Sequence, residues 1–175
     1  MAAYRASLGV PLCSYPGWQH AVDYYRIDKH RLAVTLTLAG GGCLRGHIFV
    51  QPAVYGLPEG DNPLRELKGA EPFFPVQADD GDVILVAKER VVEVWGPTLH
   101  TPDELRRQSA RCMHLEVRLA TGVVRCGSVV VEMPSNRARP LDFLNQHHQR
   151  FLTLYDNEGV RLLNMRQIDS VRPLG

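Results

Sequence analysis

Phe151-Leu-Thr-Leu-Tyr-Asp-Asn-Glu-Gly-Val-Arg-Leu-Leu-Asn-Met-Arg-Gln-Ile-Asp-Ser-Val171 falls onto Phe74-Pro-Val-Gln-Ala-Asp-Asp-Gly-Asp-Val-Ile-Leu-Val-Ala-Lys-Glu-Arg-Val-Val-Glu-Val94 when moved back 77 residues without a gap. At that shift Asp79 meets Asp156, Val83 meets Val160, Leu85 meets Leu162, Val91 meets Ile168 and Val94 meets Val171. The match extends upstream, where Pro63-Leu64 and Leu67 meet Pro140-Leu141 and Leu144. After a loop adjustment Gly46 corresponds to Gly127, Ile48-Phe49-Val50 to Val129-Val130-Val131, and Val34 and Leu36 to Val117 and Leu119. Apolar positions kept in order over this length point to one unit of about 60 residues used twice.

Each copy spells short strands. Val34-Thr35-Leu36-Thr37-Leu38 alternates apolar and polar, the period of a strand with one buried face. Gly40-Gly41-Gly42 can supply a tight turn, and Leu44 to Gln51 returns as a second strand ended by Pro52, which lacks a ladder donor. Phe74 to Ala78, Val83 to Ala87 and Val91 to Trp95 follow, the first two joined by the turn Asp79-Asp80-Gly81. In the second copy the equivalents are Leu115 to Ala120, Val123 to Met133, Arg150 to Asp156, Gly159 to Met165 and Ile168 to Val171. Pro140 to Gln146 should form a short helix with proline at its first turn and Leu141 and Leu144 on one face. Five short strands cannot bury a sandwich core, so the expected class is mainly β, two tandem small barrels with short helices.

The expected organisation is an N-terminal segment with a helix over 1–30, a first barrel over 31–97, a connecting helix over 98–112 and a second barrel over 113–175. Pro16 to Arg26 can form the first helix. Thr101-Pro102-Asp103-Glu104 opens the connecting one with an N-cap, a proline at the first position and acids in the first turn, and it is expected to reach about Arg111.

Helix, strand, turn, glycine-containing strand, closing hairpin and short last strand is an order that resembles the Sm-like proteins. Leu115-Glu-Val-Arg-Leu-Ala-Thr-Gly-Val-Val-Arg-Cys-Gly127 resembles the first half of their first motif, and Arg161-Leu-Leu-Asn-Met-Arg-Gln-Ile168 their second. The likeness implies a fold, an Sm-like or other SH3-like small barrel. It does not carry over an RNA site: the Asp-x-x-x-Asn loop of RNA-binding Sm-like proteins is replaced by the Pro-Leu-x-x-Leu segment. Their closing Arg-Gly is replaced by Asn164-Met165 and, in the first copy, Ala87-Lys88.

Of 175 residues, 20 are Lys or Arg and 19 Asp or Glu, for a net charge of +1, without the basic excess of a chain built to grip phosphate. The charge is unevenly placed, with 11 basic against 13 acidic residues over 1–110 and nine Arg against six acidic residues over 111–175. Arg106, Arg107, Arg111, Arg118 and Arg125 are therefore the candidates for binding RNA, DNA or a cyclic dinucleotide. Arg107-x-x-x-Arg111, preceded by Arg106, resembles the arginine motif of PilZ domains, which clasp cyclic di-GMP; arginine forks suit phosphates and guanine edges. The companion Asp-x-Ser-x-x-Gly of those domains is missing, and Leu119-Ala-Thr-Gly122 stands in its place.

No constellation for chemistry emerges. His147-His148 are neighbours that point in different directions and have no further ligands at metal spacing, so they read as solvent-exposed loop histidines. Asp79, Asp80 and Asp82 crowd a hairpin tip, and the triple glycine precedes no Lys-Ser or Lys-Thr and no helix. With no nucleophile elbow and no paired acids, neither catalysis nor a cofactor or metal is expected.

The stretch from Met1 to Trp18 holds only a short apolar run broken by Pro11, and no segment nears the ~20 apolar residues of a membrane span. Cys13, Cys43, Cys112 and Cys126 form no Cys-x-x-Cys, which fits buried thiols in the cytoplasm. Trp18, Tyr24, Tyr25, Phe73, Phe74 and Trp95 are expected in the core. The leading expectation is a non-catalytic protein-interaction or scaffold module that meets a protein partner or itself, without membrane insertion. Binding of nucleic acid or cyclic dinucleotide is the alternative.

Overall fold

The computed structural model describes residues 30–50, 67–97, 99, 111–132 and 139–174. Ten strands account for most of them: β1 (His30–Leu38), β2 (Cys43–Val50), β3 (Phe73–Ala78), β4 (Val83–Ala87), β5 (Val91–Trp95), β6 (Arg111–Leu119), β7 (Val124–Val131), β8 (Phe151–Asp156), β9 (Gly159–Asn164) and β10 (Ile168–Leu174). The helix α1 (Pro140–Gln146) lies between β7 and β8, and Leu67 and Lys68 are also helical. The predicted strands are found within a few residues of their expected limits, and α1 occupies its expected span. All ten strands join one antiparallel sheet in the order β10-β6-β7-β8-β9-β5-β1-β2-β3-β4.

That order has an internal regularity. The first five strands run β5-β1-β2-β3-β4 across the sheet, and the last five run β10-β6-β7-β8-β9. Both β4 and β9 are followed by a 3-10 turn, Lys88–Arg90 and Met165–Gln167, and then by a last strand that folds back beside the first of its group. Gly41, Gly81, Gly122 and Gly159 take positive φ at the four hairpin turns, where a side chain would be strained. Mid-strand, Gly46 and Gly127 serve another purpose: a Cβ on Gly127 would stand 2.5 Å from the Tyr155 carbonyl oxygen, and one on Gly46 would meet the Gln77 carbonyl. Only glycine lets β2 and β7 approach the neighbouring backbone this closely.

Two apolar clusters form the interior. The first gathers Val34, Leu36, Ile48, Val50, Leu67, Phe74, Val76 and Val94 together with Phe151, Tyr155, Val160 and Leu162 from the second group of strands. The second gathers Leu115, Val117, Leu119, Val129, Leu152, Leu154 and Leu163 together with Val92 from the first group. β5 and β9, which pair with each other, thus feed both interiors. Leu162 and the opposing Val94 face the first cluster, while Leu163 and Val92 face the second.

Several expectations need correction. Arg111 and Cys112, placed at the end of a connecting helix, are the first residues of strand β6. The run Arg111-Cys-Met-His-Leu-Glu-Val continues the alternation backward from Leu115, and pairing with Val131 and Val130 holds it extended. The rest of that helix and the one over Pro16 to Arg26 lie outside the described residues, as do Arg106, Arg107, Cys13, Trp18, Tyr24 and Tyr25. Leu141 and Leu144 do not share a buried face: Leu141 is exposed, whereas Phe143 and Leu144 pack on the second cluster. Leu141 stands two residues before Phe143, about 200° around a helix with 3.6 residues per turn, so burying one exposes the other. Phe73 is exposed as well, because adjacent strand residues point to opposite faces and Phe74 takes the inner one.

His147 is half-buried at the C-cap of α1, its ring tilted against Phe143 and its Nε2 3.0 Å from the Phe151 carbonyl oxygen. Burial lowers its pKa, the bond to Phe151 partly offsets this, and the charges of Lys68 and His148 add to the lowering.

Candidate interface at the sheet edges

The sheet ends on two strands, β4 and β10, and among the described residues nothing pairs with their outer edges. β4 is short and apolar, Val83-Ile-Leu-Val-Ala87; Val86 is buried, but the first three side chains are far from covered. Leu85 is 67% exposed, Val83 59% and Ile84 41%, and Phe73 on the adjacent β3 is 54% exposed. Phe73 pairs with Ala87, and Pro75, also exposed, with Leu85, so Phe73, Pro75, Val83 and Leu85 lie on one face of the hairpin. The 77-residue counterpart of Leu85 is Leu162, which is fully buried. The two leucines lie on β4 and β9, the fourth strands of the two five-strand runs. They differ because β5 covers β9, whereas nothing among the described residues covers β4.

The junction of β9 and β5 shows how such an edge is closed. Glu93 pairs with Leu163, Val94 with Leu162 and Trp95 with Arg161. Glu93 and Arg161 therefore lie diagonally across the ladder on one face, and the Arg161 Nη1 donates to Glu93 Oε1 at 2.9 Å. Both are buried, Glu93 at 2% exposure and Arg161 at 6%. The remaining Arg161 donors go to Asp156 and Glu158, and its guanidinium lies 5.7 Å from the centre of the Trp95 ring. Arg125 on β7 closes the other side of Glu93 with a two-pronged contact, Nε and Nη2 each 2.9 Å from a carboxylate oxygen. Burial works against the Arg161 charge, but the hydrogen bonds to Asp156 and Glu93 outweigh it and hold its pKa above the ordinary arginine value. Three carboxylates and two guanidinia thus satisfy one another at the seam, which keeps it from costing the several kcal/mol of an unpaired buried ion.

Asn164, fully buried at the end of β9, adds a neutral tie across the same seam. Its amide donates to the Val91 carbonyl at 2.7 Å and the Lys88 carbonyl at 3.2 Å, and its oxygen accepts from the Arg166 N–H at 3.0 Å. Replacing it by alanine takes the amide donor from both carbonyls, leaving the Lys88 carbonyl its bond from the Val91 N–H. Asn164→Ala should lower the unfolding free energy by about 2 kcal/mol. Urea denaturation checks this, and a change indistinguishable from zero would mean the amide does not hold the seam.

A cleft of 710 Å³ opens beside this network, bordered by His114, Ser128, Tyr155, Asp156, Glu158 and Arg161. Its charged walls are already engaged with one another. Among the described residues no group of three His, Cys, Asp or Glu could hold a metal ion.

The five arginine candidates are not brought together. Arg106 and Arg107 lie outside the described residues, and Arg111 is exposed at the start of β6. Arg118 is exposed on β6 on the face opposite Val117, whereas Arg125 sits on the same face as Val117, with which it pairs, and is bound to Glu93. Asp79, Asp80 and Asp82 stand at an exposed turn, where Asp80 accepts from the Asp82 N–H. Cys43, Cys112 and Cys126 are not joined in disulfides, but against the expected burial Cys43 and Cys126 are exposed; no helix among the described residues is long and apolar enough to cross a membrane.

Sequence reasoning missed Glu93, Arg161 and Asn164. The signal was present in Val91-Val92-Glu93-Val94-Trp95 and Val160-Arg161-Leu162-Leu163, which are apolar at both parities, as strands covered on both faces are. No family model matches the chain, and no curated protein or solved structure matches it.

Proposed function

We propose that this protein is a non-catalytic interaction or scaffold module of the cytoplasm, built from two tandem small β-barrel units, which takes a strand of another polypeptide along β4. The reading rests on one observation above the others. Among the described residues β4 is an unpaired edge strand whose Val83, Ile84 and Leu85 stand in solvent, while the corresponding strand β9 is paired and buried. Natural sheets blunt open edges with charge, proline or cover. Val83-Ile84-Leu85 carries no charge, and strand addition to such an edge supplies main-chain hydrogen bonds and apolar contact together. The matching strand order of the two five-strand groups, the shared close-approach glycine and the 3-10 turns support a duplicated unit.

Binding of RNA, DNA or a cyclic dinucleotide has less behind it, because Arg118 and Arg125 face opposite ways and Arg125 is committed to Glu93. A photo-crosslinking side chain placed at Leu85 tests the interaction reading. In cell extract it should join the chain to a second polypeptide, and the same probe at exposed Arg45, on the interior strand β2, should not. Absence of any adduct specific to Leu85 would remove the proposal.

A further inference from the structure

The junction inside the chain is a pattern for a second one that a single copy cannot close. β9 meets β5 there, and the strands holding those two places in the other five-strand groups, β4 and β10, are the two ends of the sheet. One chain therefore carries both halves of the contact, at opposite ends.

We propose that β4 of one copy pairs antiparallel with β10 of a second copy, in the register that repeats the internal seam. Carrying Glu93↔Leu163, Val94↔Leu162 and Trp95↔Arg161 across by 77 residues gives Ser170↔Val86, Val171↔Leu85 and Arg172↔Ile84. This rests on reading β4 as an interaction edge and names its partner.

Three observations fit that register. Leu162 passes its side chain into the cluster of the neighbouring strand group, and Leu85, its counterpart, points away from its own interior with 67% of its surface uncovered. On the receiving side Val171 is partly buried over the second cluster, as Val94 is buried in the first. Pro173, which lacks a donor, falls one residue past the three pairing positions, where Gly96 stands beside β5. The proline thus ends the contact without breaking it.

The two seams differ in chemistry. Ser170 stands where Glu93 does and Ile84 where Arg161 does, so the seam between copies has no counterpart of the buried ion pair. Setting β9 against β10 would bury Arg161 opposite Arg172 and diagonal to Ser170, and setting β4 against β5 would bury Glu93 opposite Val86 and diagonal to Ile84. Either exchange strands a charge, which keeps the internal and external contacts from trading places. Because the contact joins unlike edges, each added copy leaves one β4 and one β10 free, and the series closes into a ring or runs on as a filament.

Light scattering after gel filtration, over a wide range of concentration, tests this with two substitutions at the edges. The unaltered protein should give multiples of its 19.6 kDa chain mass. Ser170→Glu, at an exposed position, and Ile84→Arg should each reduce the mass to that of one chain while far-UV circular dichroism stays unchanged. Mixing the two variants should restore assembly. The unaltered β4 of one meets the unaltered β10 of the other, and the introduced carboxylate faces the introduced guanidinium at the remaining seam. Should Ile84→Arg disturb folding, Leu85→Lys on the outer face blocks the same edge.

A two-fold contact of β4 with β4 would show itself differently: Ser170→Glu would remain a dimer, mixing would add nothing, and the proposal would be overturned. An assembly that ignores both substitutions would overturn it too. A single chain at every concentration overturns pairing between copies and leaves the interaction reading standing or falling on the Leu85 crosslink, where an adduct to a different protein would name another occupant.

Discussion

Arg161→Met is expected to lower the unfolding free energy by about 3 kcal/mol, because it removes one partner from a buried ion network and leaves the other behind. Glu93 would remain 2% exposed with only Arg125 beside it, and Asp156 and Glu158 would lose their shared guanidinium. Methionine keeps much of the length and apolar bulk of the arginine stem, so the loss reports charge rather than a cavity. Adding Glu93→Leu should recover most of it, since an apolar pair of similar volume tends to equal or exceed a buried ion pair in stability. Urea denaturation of the two variants reads both effects. A single variant within about 0.5 kcal/mol of the original, the ordinary range of surface substitutions, would show that the seam is not held by this network.

Gly46→Ala should be comparably harmful, at about 3 kcal/mol, the upper part of the range for overpacking. The added methyl would run into the Gln77 carbonyl and lie 3.0 Å from the Ala78 Cα, all of it backbone that cannot swing aside. Gly127→Ala should follow the same direction through Tyr155 and the Leu154 side chain. Gly40→Ala supplies the contrast, because a Cβ there meets nothing within 4 Å. If the Gly46 and Gly40 variants melt alike, β2 and β3 do not approach as closely as described.

The strands were legible in the sequence because alternation of apolar and polar residues is a local signal, read within a handful of positions. Val34-Thr35-Leu36-Thr37-Leu38 announces its inner face without reference to any other strand. Helix α1 was equally plain from Pro140 and the following apolar spacing, although which side it buries depended on Phe143 rather than Leu141. The arrangement of the strands was another matter. Nothing in Val91 to Trp95 says that its outer edge meets β9 rather than solvent, because that pairing joins residues roughly 70 positions apart. A glutamate inside a β-branched run looks like a solvent-facing residue until Arg161 is brought against it. Arg125 misled for the same reason: as a sequence feature it belongs to an arginine-rich segment, and as a side chain it belongs to Glu93.

β5 and β9 lend side chains to both interiors, so the two halves are not beads on a string. Val92 lines the second cluster from the first half, and Leu162 lines the first from the second. A change that loosens either cluster is therefore transmitted to the other through shared strands. The halves must drift, adapt and be redesigned together. On the duplicated-unit reading proposed above, copying alone does not give this chain; the seam positions had to part ways, Glu93 and Arg161 toward charge and Ser170 and Ile84 away from it.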